Sequence, residues 1–469
     1  MKFTKFVFIL LFLIVGFRVL ASDTLSKQTW IGKLSYGTQE LTLVLHVYNL
    51  SPDSLTATVD SPDQGAAGIQ VTEILMTPDS LAFGISKLRA VYGGKFNASK
   101  DTLSGTFTQA GYKLPLTLAA TEHEYKLNRP QEPRPPYLYN SDEVTVKNTT
   151  AGVDLAGTLT YPTGRGPFPA IVLVTGSGPE DRDEQIFGHK PFLVLADHLT
   201  RAGFAVLRYD DRGVGRSTGD YSTATTFDFA DDATAAFEFL KRRSDIDTSH
   251  IGILGHSEGG LIAEIIAARR TDIGFIVLLA GTALKGEEIL RLQSGLIARA
   301  NGIPEDQIAA NLKISDQIYS ILKKNDNNDK AAVKIRKALE DFEKKEGQGN
   351  PNSIPEARIE SQIRTVTSPW FRTFLTLDPM TYIQKIACPV LALFGEMDLQ
   401  VPPAENMKAL ETGLLMAGND RYTIDFVPGV NHLFQTATTG SPEEYGRIEE
   451  TLSPIVLEMI TSWLKQNVR

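Results

Sequence analysis

The chain has 469 residues, a formal net charge of −9, 42% hydrophobic residues and 22% charged residues. This balance is typical of a globular protein with a large core and excludes an intrinsically disordered chain, and the length predicts two or three domains. The acidic excess argues against a protein that binds nucleic acid or anionic membrane surfaces, because both partners select a basic surface.

The first 21 residues have the pattern of a signal peptide. Lys2 and Lys5 precede an apolar run at 6–17, and Ala21 stands where cleavage needs a small residue. The apolar run is shorter than the about 20 residues of a membrane-spanning helix, so we expect cleavage near Ala21 rather than a retained anchor. We therefore expect an exported protein, in a bacterial periplasm or outside the cell, with no membrane span after cleavage.

Residues 22–125 are predicted to form a small all-β domain. Short β-type runs such as 41–47 and 55–59 alternate with turn signals rich in Gly, Pro and Asp, and no long helical pattern interrupts them. The next segment, 126–142, contains four prolines between Arg129 and Pro136. This composition predicts a stiff, extended linker between two domains.

Residues 143–469 are predicted to form an α/β domain. Apolar runs such as 169–174 and 390–394 alternate with helical stretches, which predicts a mostly parallel sheet with helices on both faces. A helical and charged insertion at about 284–380 is far longer than an ordinary connection, so we expect a helical cap over the sheet. The single cysteine, Cys388, cannot form an internal disulfide and is expected in the core.

The strongest chemical signal is Gly255-His256-Ser257-Glu258-Gly259, between a buried strand and an apolar helix. The glycines permit a sharp turn that places Ser257 at its apex, and the helix N-terminus offers N–H groups to a developing oxyanion. We predict that Ser257 is a nucleophile. The pattern alone also fits a glycine-rich turn with an incidental serine, and we expect His256 to support the turn.

A serine nucleophile needs a base that is oriented by a third group. Asp398 and His432 each follow an apolar strand, and the carboxyl ends of parallel strands meet at one edge of a sheet. We therefore predict His432 as the base and Asp398 as its acid. Glu396 and Asp425 are competing acids, and a lone histidine could instead be a satisfied structural group.

With Ser257, Asp398 and His432 in this order, the chain resembles the α/β-hydrolase family over roughly residues 143–283 and 380–469. The resemblance implies the α/β-hydrolase fold and a Ser-His-Asp catalytic triad. The run Gly-Ser-Gly-Pro-Glu-Asp-Arg-Asp that begins at Gly176 also resembles a capped bacterial carboxylesterase subgroup of this family.

The segment 175–183 occupies the position of the family's oxyanion loop, with Thr175 where a histidine is common. The resemblance implies that the backbone N–H groups of Ser177 and Glu258 form the oxyanion hole, with Gly178 as the alternative to Ser177.

Two further segments have a place in the resemblance. The charged loop 209–217 is similar to the family's Asp-x-Arg-Gly-x-Gly-x-Ser loop and is expected to brace the neighbouring active-site loops. In the cap, Trp370, Phe371 and Phe374 are predicted to line the substrate pocket, although these aromatic residues fit the cap's own core equally well.

Three function classes stay open at this point. The resemblance implies hydrolysis of a small-molecule carboxylic ester through an acyl-enzyme, without a metal or a cofactor. Tandem glycines after the serine, as at Gly259-Gly260, also occur in prolyl-oligopeptidase-like peptidases, so a serine peptidase or aminopeptidase-like amide hydrolase is the alternative. The third class is a binding protein with an accessory hydrolase domain. The sequence leaves the substrate, the role of the β domain and the oligomeric state open.

Overall fold

The computed structural model describes residues 27–36, 39–51, 54–64, 66–109, 112–123, 127–346 and 356–468. The predicted signal peptide at 1–21 lies outside the described residues. Within them, the strands form one sheet of nine strands and one of eight. Within these residues, no helix has the length and apolar content needed to cross a membrane.

The N-terminal sheet is antiparallel throughout, with the order β4-β3-β2-β1-β9-β8-β7-β6-β5. Its strands are β1 (Lys27–Tyr36), β2 (Gln39–Ser51), β3 (Ser54–Ser61), β4 (Ala66–Gln70), β5 (Glu73–Met76), β6 (Ser80–Ile85), β7 (Ala90–Phe96), β8 (Thr102–Gln109) and β9 (Tyr112–Thr121). Alternation along β6 buries Leu81, Phe83 and Ile85, which join Leu116 and Leu118 of β9 in one hydrophobic core. This sheet agrees with the all-β character predicted for residues 22–125.

The C-terminal sheet has the order β10-β11-β13-β12-β14-β15-β16-β17. Its strands are β10 (Asn140–Asn148), β11 (Val153–Tyr161), β12 (Phe168–Val174), β13 (Ala205–Tyr209), β14 (Ile246–His256), β15 (Phe275–Leu279), β16 (Val390–Gly395) and β17 (Tyr422–Val427). The pairs β10/β11 and β11/β13 are antiparallel, and every other pair is parallel. The mostly parallel sheet predicted for the second half of the chain is therefore confirmed. Because β10 begins at Asn140, regular structure starts inside the predicted linker 126–142.

Five helices connect or follow the strands of this sheet: α1 (Pro191–Arg201), α2 (Thr226–Lys241), α3 (Glu258–Arg269), α10 (Pro403–Met416) and α11 (Pro454–Asn467). Helix α1 packs with α11, and α2 packs with α3. Helix α2 begins at a capping box, in which Thr225 and Asp228 each bond to the other's backbone N–H. The central strands are buried by these helices, as their continuous apolar runs predict.

The long insertion between β15 and β16 is helical where the structure describes it. It contains α4 (Gly286–Ala300), α5 (Glu305–Lys324), α6 (Asn328–Glu346), α7 (Glu356–Val366), α8 (Pro369–Thr376) and α9 (Met380–Ile383). The insertion has a hydrophobic core of its own, which includes Ile318, Leu322, Ile335, Ile363 and Phe371. Helix α8 also packs against α2 and against the short 3₁₀ segment Tyr221–Thr223 of the sheet domain.

Candidate active site

Ser257 is the single residue between the end of β14 and the start of α3. Its backbone has φ +53° and ψ −116°, a strained conformation for a residue with a side chain. Its N–H donates to the carbonyl oxygen of Leu279 at 2.8 Å, which ties the turn to the end of β15. The surrounding structure thus holds this serine in a conformation that the isolated chain would avoid.

The glycines around Ser257 are required by close backbone contacts. A Cβ on Gly255 would lie 2.0 Å from the carbonyl oxygen of Gly259, and a Cβ on Gly259 would lie 2.1 Å from that of Val174. A Cβ on Gly260 would lie 2.6 Å from the Cα of Gly281. These contacts agree with the prediction that the glycines permit a sharp turn between the strand and the helix.

Asp398 and His432 lie on the loops after β16 and β17 and form a buried pair. Oδ2 of Asp398 lies 2.8 Å from Nδ1 of His432, and the two residues are 2% and 4% exposed. The other carboxylate oxygen, Oδ1, accepts the backbone N–H groups of Gln400 at 2.7 Å and Val401 at 2.8 Å. These bonds orient the carboxylate, so that the neutral imidazole carries its proton on Nδ1 and its lone pair on Nε2.

The two competing acids have other partners. Glu396 is exposed, and its carboxylate accepts the N–H of Gly429 at 2.9 Å. Asp425 is exposed within β17 and accepts the N–H of Phe426 at 2.9 Å. Of the three acids, the structure brings Asp398 to His432.

The loop after β12 runs beside Ser257, since a Cβ on Gly176 would lie 3.5 Å from the Cβ of the serine. The N–H of Gly176 donates to Glu184 at 3.0 Å, and that of Gly178 donates to the hydroxyl of Tyr221 at 3.0 Å. Both N–H groups are thus occupied, and within the described residues the intervening N–H of Ser177 has no recorded acceptor. This geometry favours Ser177 over Gly178 as an oxyanion donor.

Charged residues hold the loop after β12 in place through hydrogen bonds. Arg182 binds both carboxylate oxygens of Asp210 at 2.9 Å, and Asp211 accepts the hydroxyl of Thr175 at 3.1 Å. The charged loop 209–217, which follows β13, is therefore bonded to the loop after β12. Thr175, which stands where the family has a histidine, takes part in this bracing.

His256 contacts the backbone of His432, and the apex of the turn is occupied by Ser257. Its Nδ1 lies 2.8 Å from the carboxylate of Glu184, and its Nε2 lies 3.0 Å from the backbone oxygen of His432. Burial is the largest single effect on the pKa of His256 and lowers it, but the charge and hydrogen bond of Glu184, the backbone of His432 and the charge of Asp398 together raise it, so the net shift of the pKa is upward. His256 thus has the supporting position expected for it. Glu184, which binds His256, was not predicted from the sequence.

The side chain of Glu258 links the serine turn to the helical insertion. Its carboxylate accepts the hydroxyl of Thr226 at 2.6 Å and the indole N–H of Trp370 at 2.8 and 2.9 Å. Burial raises the pKa of Glu258 to about 7. A titratable group therefore lies next to the serine and contacts the first turn of α8.

The three aromatic residues predicted to line a pocket have different surroundings. Trp370 is partly exposed, stacks on Phe374 at 5.4 Å between ring centroids, and reaches Glu258. Phe371 is buried in the insertion's own core beside Tyr319, and Phe374 is buried in the main core. The structure thus brings Trp370 to the serine turn and does not bring Phe371 there.

No group of three or more metal-ligating side chains occurs in the part of the chain that the structure describes. Cys388 lies partly buried, and burial raises the pKa of its thiol to about 12, so it is protonated and unreactive at neutral pH.

Comparisons with known proteins relate this chain to hydrolases. Residues 190–341 match the family described as serine aminopeptidase, S33. Esterase EstD of Thermotoga maritima is 27% identical over 351 residues, which cover 74% of this chain and 71% of that protein. An uncharacterized 31.7 kDa protein of Escherichia coli is 25% identical over 288 residues, or 60% of this chain and 89% of that protein.

Among solved structures, an esterase of Pyrococcus furiosus aligns with a TM-score of 0.44 and 14% identity, covering 74% of this chain and 100% of that one. The match to a hydrolase family, the likeness to an esterase, the serine turn and the strand order together show that the chain is a serine hydrolase with the α/β-hydrolase fold.

Proposed function

We propose that the protein is an exported esterase that hydrolyses small carboxylic esters through an acyl-enzyme on Ser257. The observation that carries the proposal is the buried 2.8 Å bond between Asp398 and His432. These two residues follow the neighbouring strands β16 and β17, in the same sheet as β14, which leads into Ser257. The relative named esterase EstD supports an ester substrate.

The first half of the reaction forms the acyl-enzyme. The Oγ of Ser257 attacks the acyl carbon while Nε2 of His432 takes the hydroxyl proton. Asp398 holds Nδ1–H and stabilises the imidazolium that forms. His432 then gives the proton to the leaving alcohol, and the acyl group stays on the serine.

The second half releases the acid. His432 takes a proton from water, the resulting hydroxide attacks the acyl carbon, and the proton returns to Ser257. In both halves the backbone N–H groups of Ser177 and Glu258 donate to the oxyanion. The available N–H of Ser177 and the position of Glu258 as the first residue of α3 support this assignment.

The helical insertion is proposed to be the cap that selects the substrate. Its contact with the serine turn, from Trp370 to Glu258, supports this role. A second contact runs from Gln293 of α4 to Gln400, the residue whose N–H orients Asp398. The pocket wall is therefore assigned to Trp370 at the start of α8.

Export is proposed from the pattern at residues 1–21. The predicted division into 22–125, 126–142 and 143–469 is proposed with it, except that the catalytic domain begins at Asn140, the first residue of β10. Expression of the full chain in a bacterium, followed by N-terminal sequencing of the periplasmic protein, tests cleavage near Ala21. A product that keeps Met1 and stays in the membrane fraction would contradict this part of the proposal.

Ester hydrolysis is tested with short-chain aryl esters and aminoacyl amides as parallel substrates. We expect kcat/KM for the esters to fall about 10⁴-fold in Ser257→Ala and by about 10³- to 10⁴-fold in Asp398→Asn. Glu396→Gln, which changes the exposed acid of the same loop, is the matched control and should stay within about two-fold of the wild type.

Each outcome decides between the function classes. Ester turnover that survives in Ser257→Ala would contradict the assignment of the nucleophile. Amides that are cleaved faster than esters would favour the peptidase alternative. Turnover of neither substrate class by the wild type would favour a binding protein.

A further inference from the structure

The N-terminal sheet contacts the catalytic half of the chain at the 441–451 segment, which lies between the His432 loop and α11. This segment begins with the short 3₁₀ helix Pro442–Arg447, which packs against the 3₁₀ turn Pro62–Gln64 after β3. The approach is backbone to backbone, because a Cβ on Gly446 would lie 2.4 Å from the carbonyl oxygen of Asp63.

Arg129 of the Pro-rich linker binds the same segment. Its guanidinium donates to the carbonyl oxygens of Gly446 and Ile448, both at 2.8 Å. It also donates to those of Phe187 at 3.1 Å and Gly188 at 3.3 Å. The residue is 7% exposed, and a fifth bond goes to the carbonyl oxygen of the adjacent Asn128. A buried cation that donates to so many carbonyl groups fixes the positions of the segments that carry them.

Tyr445 extends this contact to the catalytic pair. It is 1% exposed, and its hydroxyl accepts the side-chain amide of Gln400 at 3.1 Å. The backbone of His432 is near enough to the same hydroxyl to act on its pKa, which it lowers. Gln400 also orients Asp398 through its own N–H at 2.7 Å, so one buried hydroxyl touches the loops of both the acid and the base.

The tyrosine is well suited to a fixed, neutral role. Burial raises the pKa of Tyr445 above its ordinary range, and the charge of Asp398 raises it further. Both effects favour the protonated, neutral hydroxyl. The backbone carbonyl oxygen of Tyr445 lies 3.0 Å from Nε2 of the fully buried His189, so the backbone of Tyr445 is held in place as well.

We propose that Tyr445 is a positioning residue for the Asp398–His432 pair, and that Arg129 and the N-terminal sheet hold Tyr445 in place. The inference rests on the proposed triad. The β domain then contributes to catalysis by fixing the position of Tyr445. It does so because Asp63 of the β domain and Arg129 of the linker both contact Gly446, the residue next to Tyr445.

The direct test is Tyr445→Phe in the full-length protein, with ester hydrolysis as the assay. We expect kcat to fall about 10- to 100-fold with KM within about two-fold, because the base is misplaced while the substrate pocket is intact. The acid limb of the kcat/KM pH profile should move as well. The control is Tyr422→Phe, which removes a hydroxyl bonded to Glu411 on the surface and should change neither quantity.

Two further variants test the transmission from the N-terminal half. Gly446→Ala places a methyl group against the carbonyl of Asp63 and should lower kcat in the same way as Tyr445→Phe. Arg129→Lys keeps the charge and loses the fork of donors, with the same expected effect. Because all three changes act through one path, a double variant of Tyr445→Phe and Arg129→Lys should lose less than the product of the single losses.

The outcomes separate this inference from the proposed function. If Ser257→Ala is inactive and Tyr445→Phe keeps its kcat and pH profile, the positioning role is wrong and the triad stands. If Ser257→Ala stays active, the triad itself is wrong. If Arg129→Lys or Gly446→Ala does not fold, Tyr445→Phe decides the positioning role, with its melting temperature measured to separate local from global effects.

Discussion

His256 supports the backbone of His432 from behind: its Nε2–H donates to the carbonyl oxygen of His432 at 3.0 Å. Its other nitrogen, Nδ1, faces the carboxylate of Glu184 at 2.8 Å, and Glu184 is 2% exposed. Since both nitrogens face acceptors, these contacts favour the protonated form of the ring, in agreement with the upward shift of its pKa.

Replacing the charge of Glu184 should therefore weaken the support of His432. Glu184→Gln keeps an oxygen that can accept from His256 and from the N–H of Gly176, but it removes the negative charge. We expect the pKa of His256 to fall, and kcat to fall about five-fold, since a charged donor contributes about 1 kcal/mol more than a neutral one. An NMR titration of the His256 ring measures the first quantity, and steady-state kinetics measure the second.

The surface change Glu411→Gln is the matched control, because it alters the overall charge equally without touching His256. A pKa of His256 that is unchanged in Glu184→Gln would show that the pair does not set the protonation state of the ring.

Glu258 predicts a pH dependence of stability. Its pKa is about 7 in the folded protein, because of burial, against about 4.5 in the unfolded chain. The folded state therefore holds the proton more tightly, and this contribution is fully present below about pH 4.5 and is lost as the pH rises to about 7. The loss corresponds to up to about 3 kcal/mol of the free energy of unfolding.

Glu258→Gln removes this titration. Urea unfolding at pH 5 and at pH 8 should show that the variant gains stability relative to the wild type at the higher pH. Glu405→Gln, a change at an exposed position on α10, should leave the difference between the two pH values as it is. An identical pH dependence in Glu258→Gln and the wild type would contradict the assignment of a raised pKa to Glu258.

The serine turn should be intolerant of a single added methyl group. In Gly259→Ala the new Cβ would lie 2.1 Å from the carbonyl oxygen of Val174, a backbone atom that cannot rotate away. We expect a loss of about 3 kcal/mol in the free energy of unfolding, or failure to fold. Equilibrium unfolding in urea measures this loss.

Gly295→Ala in α4 is the comparison, because its Cβ would meet only the end of Leu312 at 3.8 Å. Alanine is the better helix former by up to about 1 kcal/mol, so this variant should be as stable as the wild type or more stable. Equal stability of Gly259→Ala and Gly295→Ala would show that the serine turn can relax.

The sequence predicted those parts of the site that follow from local patterns. Ser257, Asp398 and His432 each lie where an apolar strand ends, and the parallel arrangement of the strands brings such positions to one edge. The alternation of buried residues along β6 belongs to the same class of signal.

Other parts depend on long-range contacts that leave no local pattern. Glu184 lies on an irregular loop 72 residues before His256, and nothing in its neighbours marks it as a partner. Tyr445 reaches Gln400 from 45 residues away. The neighbouring strands β1 and β9 are the first and last of the N-terminal sheet in sequence. The partners of such residues are decided by tertiary packing, so only the folded structure reveals them.

The aromatic cluster of the insertion fits two interpretations from the sequence, a wall of the substrate pocket or the insertion's own core. Trp370 is partly exposed and donates to Glu258, whereas Phe371 is buried in the insertion's core. If α8 forms the wall of the substrate pocket, Trp370→Ala should raise KM for aryl esters about ten-fold with little change in thermal stability.

Phe371→Leu should do the opposite, lowering the melting temperature by a few degrees through lost packing while KM stays the same. Trp370→Phe separates the two functions of the indole, because it keeps the stacking on Phe374 and loses the donor to Glu258. A KM that rises in Phe371→Leu but not in Trp370→Ala would move the pocket away from Trp370. The wall would then have to be sought elsewhere in the insertion, since the aromatic cluster would serve only to join α8 to the serine turn.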